Sequence, residues 1–530
     1  MNSYVLGAVG VVKSFTPSNI PLNGASTVRI ALTNPYGTTM KSVAFVDDMS
    51  LQPGLFATSA PVLLESACIL ASPSLSLSLA SPTSVVLANL FIPAQQTCTI
   101  QFQATGTITG NLINNLGNVT AANAVWNASA TATLTVLRPP VVNFFYTSQQ
   151  IILGSCTVLN INITNPNAVN MTGISFVKTV PLGVNMSTVG GSPAPLPVVS
   201  GSVSAGFTIT GGSPLSLAGG ASAVYTIVAC GATQGNKDTS ALSVTTTNAG
   251  NGLSLVANLT VVGPLTVSAA YATTSIALGA VQTKTLTLDN TYAGAATQFN
   301  VSFDDLVPFR FQAIPSSISL RGSGCTGDLS SSTSSVIQFR NGTVPGGGVC
   351  IIEFQLDAVL NGTADNLSFN VTSSNGPQAT SNIATQYILA GAVFSKVYPS
   401  APTFGLNSET QLNFSLYNPN AFAMTRVVLT ENFPAQVAGV ISSISGGTGC
   451  PTMSVSTRSA SLSGAVSALT QCTYSALVLG IQTGLSNNFA SFRSINSPLV
   501  NTSASIYVMG APIVLKRFGN EFFFCSILTH

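Results

Sequence analysis

The chain has 530 residues, enough for roughly three to five domains and too many for one core. Only 6% of them are charged, 16 Lys and Arg against 14 Asp and Glu, with a net charge of +2 and no basic or acidic block, which leaves out a nucleic-acid interface and an electrostatic membrane anchor. Hydrophobic content of 46% and a mean hydropathy of +0.47 suggest a membrane protein, yet no stretch approaches the roughly 20 continuous apolar residues of a spanning helix. One Trp (Trp126) and 7% aromatics supply no girdle for a membrane β-barrel.

The apolar residues alternate with Ser, Thr, Asn and Gly. The surface this predicts is polar but uncharged, with little repulsion to keep it soluble. Such a surface is expected to carry glycans or to pack against copies of itself.

In chain order, the start is a fragment of a recurring pattern. Tyr4-Val5-Leu6-Gly7-Ala8 matches Tyr507-Val508-Met509-Gly510-Ala511, and Val11-Val12-Lys13-Ser14-Phe15 aligns with Val514-Leu515-Lys516-Arg517-Phe518. Tyr387-Ile388-Leu389-Ala390-Gly391 is an interior copy, where it reads as a last strand and a linker. Residues 1–10 are therefore expected to be the last strand of a preceding repeat or a swapped strand. Residues 512–530 are expected to begin a fifth repeat, or to be a swapped strand, before an atypical tail. Residues 1–12 show no charged n-region or cleavage site of a signal peptide. These edges predict either a window on a longer array or a subunit finished by a neighbour's strand.

Between the edges the spacing predicts four repeats, at 11–138, 139–263, 264–391 and 392–511. Each carries a marker turn: Asn34-Pro35-Tyr36, Asn165-Pro166-Asn167, Asn290-Thr291-Tyr292 and Asn418-Pro419-Asn420, spaced 131, 125 and 128 residues apart. The strand before the marker alternates, as in Val28, Ile30 and Leu32, or Leu412, Phe414 and Leu416, so one face is buried. A second strand follows: Val43–Asp48, Ile174–Lys178, Val301–Asp305 and Val427–Glu431. Gly/Pro/Ser-rich stretches, further strands and short linkers complete each repeat. The pattern predicts an all-β chain of four tandem immunoglobulin-like sandwiches in a rod-like array.

The Val12–Pro17 segment, the Asn-Pro turn and a Gly-rich run before a Cys-initiated strand resemble an Ig-like repeat family of bacterial extracellular and surface proteins, known as a domain of unknown function. The resemblance runs over nearly the whole chain. The third repeat departs by lacking the proline, and the second departs in its cysteines. It implies a stalk, adhesin or surface-layer role and carries over no catalytic residue.

Nine cysteines are present. Cys68 and Cys98, Cys325 and Cys350, and Cys450 and Cys472 fall at equivalent places, the second member opening a strand each time, and read as disulfides. A zinc site is the rival, but no CxxC occurs and the one His is His530. The second repeat has Ala223 at the strand-opening position and instead offers Cys156 and Cys230 as a pair; Cys525 is left over. Paired cysteines place the chain in an oxidising compartment.

Thirteen Asn-x-Ser/Thr sequons occur, at Asn118, Asn127, Asn162, Asn170, Asn185, Asn258, Asn300, Asn341, Asn361, Asn366, Asn370, Asn413 and Asn501. A strand written in alternating Asn, Ser and Thr produces sequons by itself. In Asn366-Leu367-Ser368-Phe369-Asn370-Val371-Thr372 the alternation is expected to turn the apolar residues inward and each Asn to solvent.

No catalytic constellation is legible. A triad needs a His, and the only one ends the chain. Asp47-Asp48 and Asp304-Asp305 occupy matching places, readable as a Ca²⁺ site or as turn residues capping the backbone. The run Gly346-Gly347-Gly348 precedes a strand, so it is a turn and not a phosphate loop. The expected function is non-enzymatic, without metal or cofactor: a glycosylated structural component of an extracellular fibre, stalk or surface layer, partnered by copies of itself or by further repeats. The alternatives are an adhesin binding host or glycan ligands through sandwich loops, or a spacer in a large surface protein whose active domain lies outside this segment.

Overall fold

The computed structural model describes residues 6–125, 127–400 and 402–511, with the backbone of Leu515–Phe518 and Glu521–Phe524. The chain divides into two compact units, Met1–Gly263 and Pro264–His530. Each unit holds two separate apolar cores made from two facing sheets.

The same topology builds all four sandwiches. In the first, Gly10–Thr16 pairs with Ala25–Thr33, which pairs with Thr97–Gly106, and Leu55–Ala57 closes that sheet. After Thr16 the chain crosses to the opposite sheet, where Asn19–Pro21 runs parallel to the last strand, Ala128–Leu137. That second sheet also holds Gly110–Val119 and, through the bridge Ala44↔Thr120, Met40–Asp48 with Ser84–Ile92 and Ser76–Ser81. The parallel crossover recurs as Gln150–Ile152, Ser275–Ala277 and Thr403–Gly405. All-β immunoglobulin-like sandwiches are thus the architecture that the alternation predicted.

The alternation works through burial. Val28, Ile30 and Leu32 are fully buried, as are Leu159, Ile161 and Ile163. The strand after the marker carries a bulge: Ser42, Gly173, Asn300 and Arg426 all have φ between 48° and 65°. The extra residue resets the phase, so that Met40 and Val43 both face inward and the inward series continues to Phe45 and Asp47. A one-residue change of phase moves every later side chain to the other face.

At the edges, Leu6 bridges to Ala124, and Leu6 and Val9 are buried in the first core. Residues 1–5 lie outside the described residues. Near the end, Leu515–Phe518 forms a hairpin with Glu521–Phe524; 512–514 and 525–530, including Cys525, lie outside the described residues.

Candidate functional site: charged clusters inside the cores

The marker asparagine is the keystone of its turn. Asn165 is fully buried, and its Nδ2 donates to the carbonyls of Val169 (2.8 Å), Leu217 (3.0 Å) and Ala218 (3.0 Å). Its Oδ1 accepts from the backbone N–H of Asn167 at 3.0 Å. Asn34 and Asn418 make the same set of bonds. Asn290 makes the three donor bonds without the proline. The residue two places on fixes a linker: Asn167 accepts from the Arg138 N–H at 2.8 Å and donates to its carbonyl at 3.0 Å. Asn420 treats Ala390 alike, at 2.8 and 3.1 Å.

Among the described residues four disulfides are present. Cys68, on the six-residue helix Ser66–Ala71, joins Cys98; Cys325 joins Cys350; Cys450 joins Cys472. Each ties a loop or helix before a strand to that strand. Cys156–Cys230 differs by joining two directly paired strands across a separation of 74 residues.

Most sequon asparagines are exposed; Asn162 and Asn413 are half-buried. Asn366 is the correction. It is fully buried while its neighbour Leu367 is 67% exposed. The strand Gly362–Asn366 ends there, and Phe369 and Val371 resume the inward series on a new phase. Asn366 faces the core because it has charged partners there.

Those partners form a cluster that the sequence reading did not anticipate. In the third repeat, Lys284 Nζ lies 2.5 Å from Asp305 Oδ2 and 2.6 Å from Asn366 Oδ1, and Asn366 Nδ2 lies 2.8 Å from Asp305 Oδ1. All three residues are fully buried. The rings of Tyr271 and Phe354 lie 5.9 and 5.5 Å from the ammonium. The first repeat places Lys13 2.6 Å from both oxygens of Asp47, with Asn114 Nδ2 3.3 Å from Oδ2. The fourth places Lys396 2.7 Å from Glu431 Oε2, with Asn488 on the same inner face.

These positions correspond. Asn114, Asn366 and Asn488 each sit four residues after a glycine, Gly110, Gly362 or Gly484, that opens its strand with φ between 121° and 131°. Lys13 and Lys396 pair with the central residues Ile30 and Phe414 of the next strand. In the third repeat that place is Ala269, and the lysine comes from the adjacent strand, opposite Tyr271. Two different lysine positions thus converge on one carboxylate and one asparagine position. The second repeat has none of the three: Phe144, Lys178 and Thr239 stand there. Lys178 Nζ is held by Ser240 Oγ at 2.5 Å and the Ala241 carbonyl at 2.8 Å.

Burial disfavours charge at the lysines and at two of the carboxyls. It pushes the ammonium groups of Lys13, Lys284 and Lys396 down, against the opposing pull of their carboxylates. It pushes the carboxyls of Asp47 and Glu431 up, against their lysines. Bonding is incomplete as well: Asn114 Oδ1, Asn488 Oδ1 and Glu431 Oε1 are buried without a hydrogen-bond partner.

The two Asp-Asp pairs part company. Asp47 and Asp305 belong to these clusters, whereas Asp48 accepts from the Ser50 N–H and Asp304 pairs with Arg340 on the outside. Adjacent strand residues face opposite ways, so neither pair can clasp one cation. Among the described residues no group of three or more His, Cys, Asp or Glu could hold a metal ion, and no helix is long and apolar enough to cross a membrane.

The fold and its crosslinks define a disulfide-tied chain of immunoglobulin-like sandwiches. Two of its segments, residues 10–136 and 265–388, match the model of a domain of unknown function, DUF7933. No curated protein matches the sequence. Among solved structures, the C-terminal domain of the Streptococcus agalactiae AgI/II polypeptide BspA is similar at 11% identity, over 46% of this chain and 99% of that one, with a TM-score of 0.26. A putative membrane anchored protein from Corynebacterium diphtheriae is similar at 11% identity, over 77% and 99%, with a TM-score of 0.19. An Escherichia coli alpha-2-macroglobulin activated by porcine elastase is similar at 10% identity, over 96% and 45%, with a TM-score of 0.18.

Proposed function

We infer that this chain is a non-enzymatic structural component of an extracellular surface, built to resist unfolding as a fibre, stalk or surface layer. The observation that carries this reading is one disulfide in each sandwich. Disulfides persist outside the reducing cytosol. Exposed asparagines and hydroxyls on neutral strand faces leave room for glycans, and the low charge favours contacts between copies. The Asn167 and Asn420 clamps shorten the freedom of two linkers, as a load-transmitting chain requires.

The test has two arms. Antibodies against the chain, applied to intact cells that encode it, are expected to bind without permeabilisation; staining only after permeabilisation overturns the surface assignment. Electron microscopy and sedimentation of the purified chain are expected to show concentration-dependent filaments. Single particles at every concentration refute self-assembly and favour the adhesin or spacer reading.

A further inference from the structure

We propose that the third sandwich closes an intramolecular amide bond between Lys284 Nζ and Asn366 Cγ, promoted by Asp305, and that Lys13 with Asn114 (Asp47) and Lys396 with Asn488 (Glu431) do the same. This goes beyond the structural role above and does not depend on where the protein resides.

The geometry of the third repeat supplies each requirement. The nucleophile, Lys284 Nζ, is 2.6 Å from the carboxamide of Asn366, so the reacting groups are already in contact. The general base is the Asp305 carboxylate, 2.5 Å from the same nitrogen and 2.8 Å from the carboxamide's other end. All three are fully buried, so water does not compete for the carbonyl. A half-turn of the carboxamide exchanges its oxygen and nitrogen within the same space and brings the carbonyl oxygen against Asp305.

The step balances without any co-reactant. The lysine ammonium gives one proton to the Asp305 carboxylate it touches, which leaves a neutral amine. The resulting carboxylic acid donates a hydrogen bond to the Asn366 carbonyl oxygen and polarises it. The Nζ lone pair attacks Cγ, and a new C–N bond forms. The nitrogen's surplus proton passes through Asp305 to the departing amide nitrogen, the Cγ–Nδ2 bond breaks, and ammonia leaves. One amide replaces another, so no activated donor is needed, and escape of ammonia from the core makes the product permanent. Burial that pushes Lys284 toward its neutral form favours the first transfer.

The first and fourth repeats add a second observation. Asn114 Oδ1, Asn488 Oδ1 and Glu431 Oε1 lack partners, and a buried acceptor without a donor is costly. A proton passed from Lys396 to Glu431 turns the partnerless carboxylate into a donor, as the step in the third repeat requires. The bond would join the two sheets of each sandwich, since the lysine and the asparagine stand on opposite ones. The second repeat, with Phe144 and Thr239 in those places, is an internal control.

The experiment is intact-mass spectrometry of the full chain after reduction and denaturation, followed by tryptic mapping. The expected mass is the sequence mass less three molecules of ammonia. Trypsin is expected to leave Lys284 uncut, and a branched peptide is expected to join Lys284 to Asn366. The sequence mass, or cleavage after Lys284, overturns the proposal for the third repeat. Ammonia loss with cleavage after Lys284 also overturns it, because that is a succinimide at an asparagine. Asn366→Ala, which keeps the Lys284–Asp305 pair, is expected to lower the deficit from three ammonias to two. Asp305→Asn is expected to do likewise, and retention of the full deficit removes Asp305 from its role. The wild-type map decides the matter even where a variant does not fold.

Discussion

Replacing Asn165 by alanine should open the second sandwich at its marker turn. The side chain is fully buried and shares two N–H groups among three carbonyls, of which Leu217's is buried and those of Val169 and Ala218 are partly buried. Two lost hydrogen bonds are worth about 1 kcal/mol each, and the buried carbonyl left without a donor adds about 1–3 kcal/mol. The Asn167 N–H also loses its acceptor. The sum is about 3–5 kcal/mol, and each 1.4 kcal/mol is a factor of ten in an opening equilibrium. Hydrogen exchange by mass spectrometry on the full chain should therefore show peptides over 157–172 and 215–230 exchanging roughly 100-fold faster or more. Peptides of the other three repeats should keep their rates. Asn170→Ala is the control: its side chain is exposed, and the change should stay within about 0.5 kcal/mol. If Asn165→Ala exchanges within about threefold of wild type, the turn is held by its backbone and proline, and the keystone argument fails.

Other predictions follow from the same structure. Lys178 is buried without a carboxylate, and burial holds its ammonium below the ordinary 10.5. Between the folded and unfolded values the unfolded chain binds more protons, so this group's contribution to stability rises with pH through that window. Lys178→Met should flatten the rise, read as the melting temperature against pH and kept below about 10, where tyrosines start to ionise. Tyr146 and Tyr225, held above 10.0 by burial, then act in the opposite sense. In a host that N-glycosylates, folded secreted material should carry glycans at exposed sequons such as Asn170 and Asn370 and none at Asn366; a glycopeptide containing Asn366 would refute its burial. Removing the Cys156–Cys230 bridge should cost about 1 kcal/mol more than removing Cys450–Cys472, from chain-entropy values of about 4.4 and about 3.4 kcal/mol for loops of 74 and 22 residues, measured by denaturant unfolding of the double-serine variants.

The inward direction of the charged positions was present in the sequence and easy to pass over. Counting by twos from Val43 through Phe45 reaches Asp47, and from Val427 through Leu429 reaches Glu431. The same count in the second repeat reaches Lys178. Reading Asp47-Asp48 as a pair hid this, because the chemistry of adjacent carboxylates distracted from the pleat that separates them. The partners were not legible at all. Lys13 lies 34 residues from Asp47, Lys284 lies 21 from Asp305 and 82 from Asn366, and the lysine changes strand between repeats.

The sequence alone determined the elements that depend on local rules. Period-two alternation set the buried faces, the marker asparagine set the turns, and cysteines placed against strand starts suggested three of the pairings. What crosses from sheet to sheet was decided only by tertiary structure. A lysine, a carboxylate and an asparagine become neighbours when two sheets close over a core, and Asn366 turns inward because two buried charges wait for it. Pairing energy of that kind depends on distance in space and on exclusion of water, and neither is written in the order of residues.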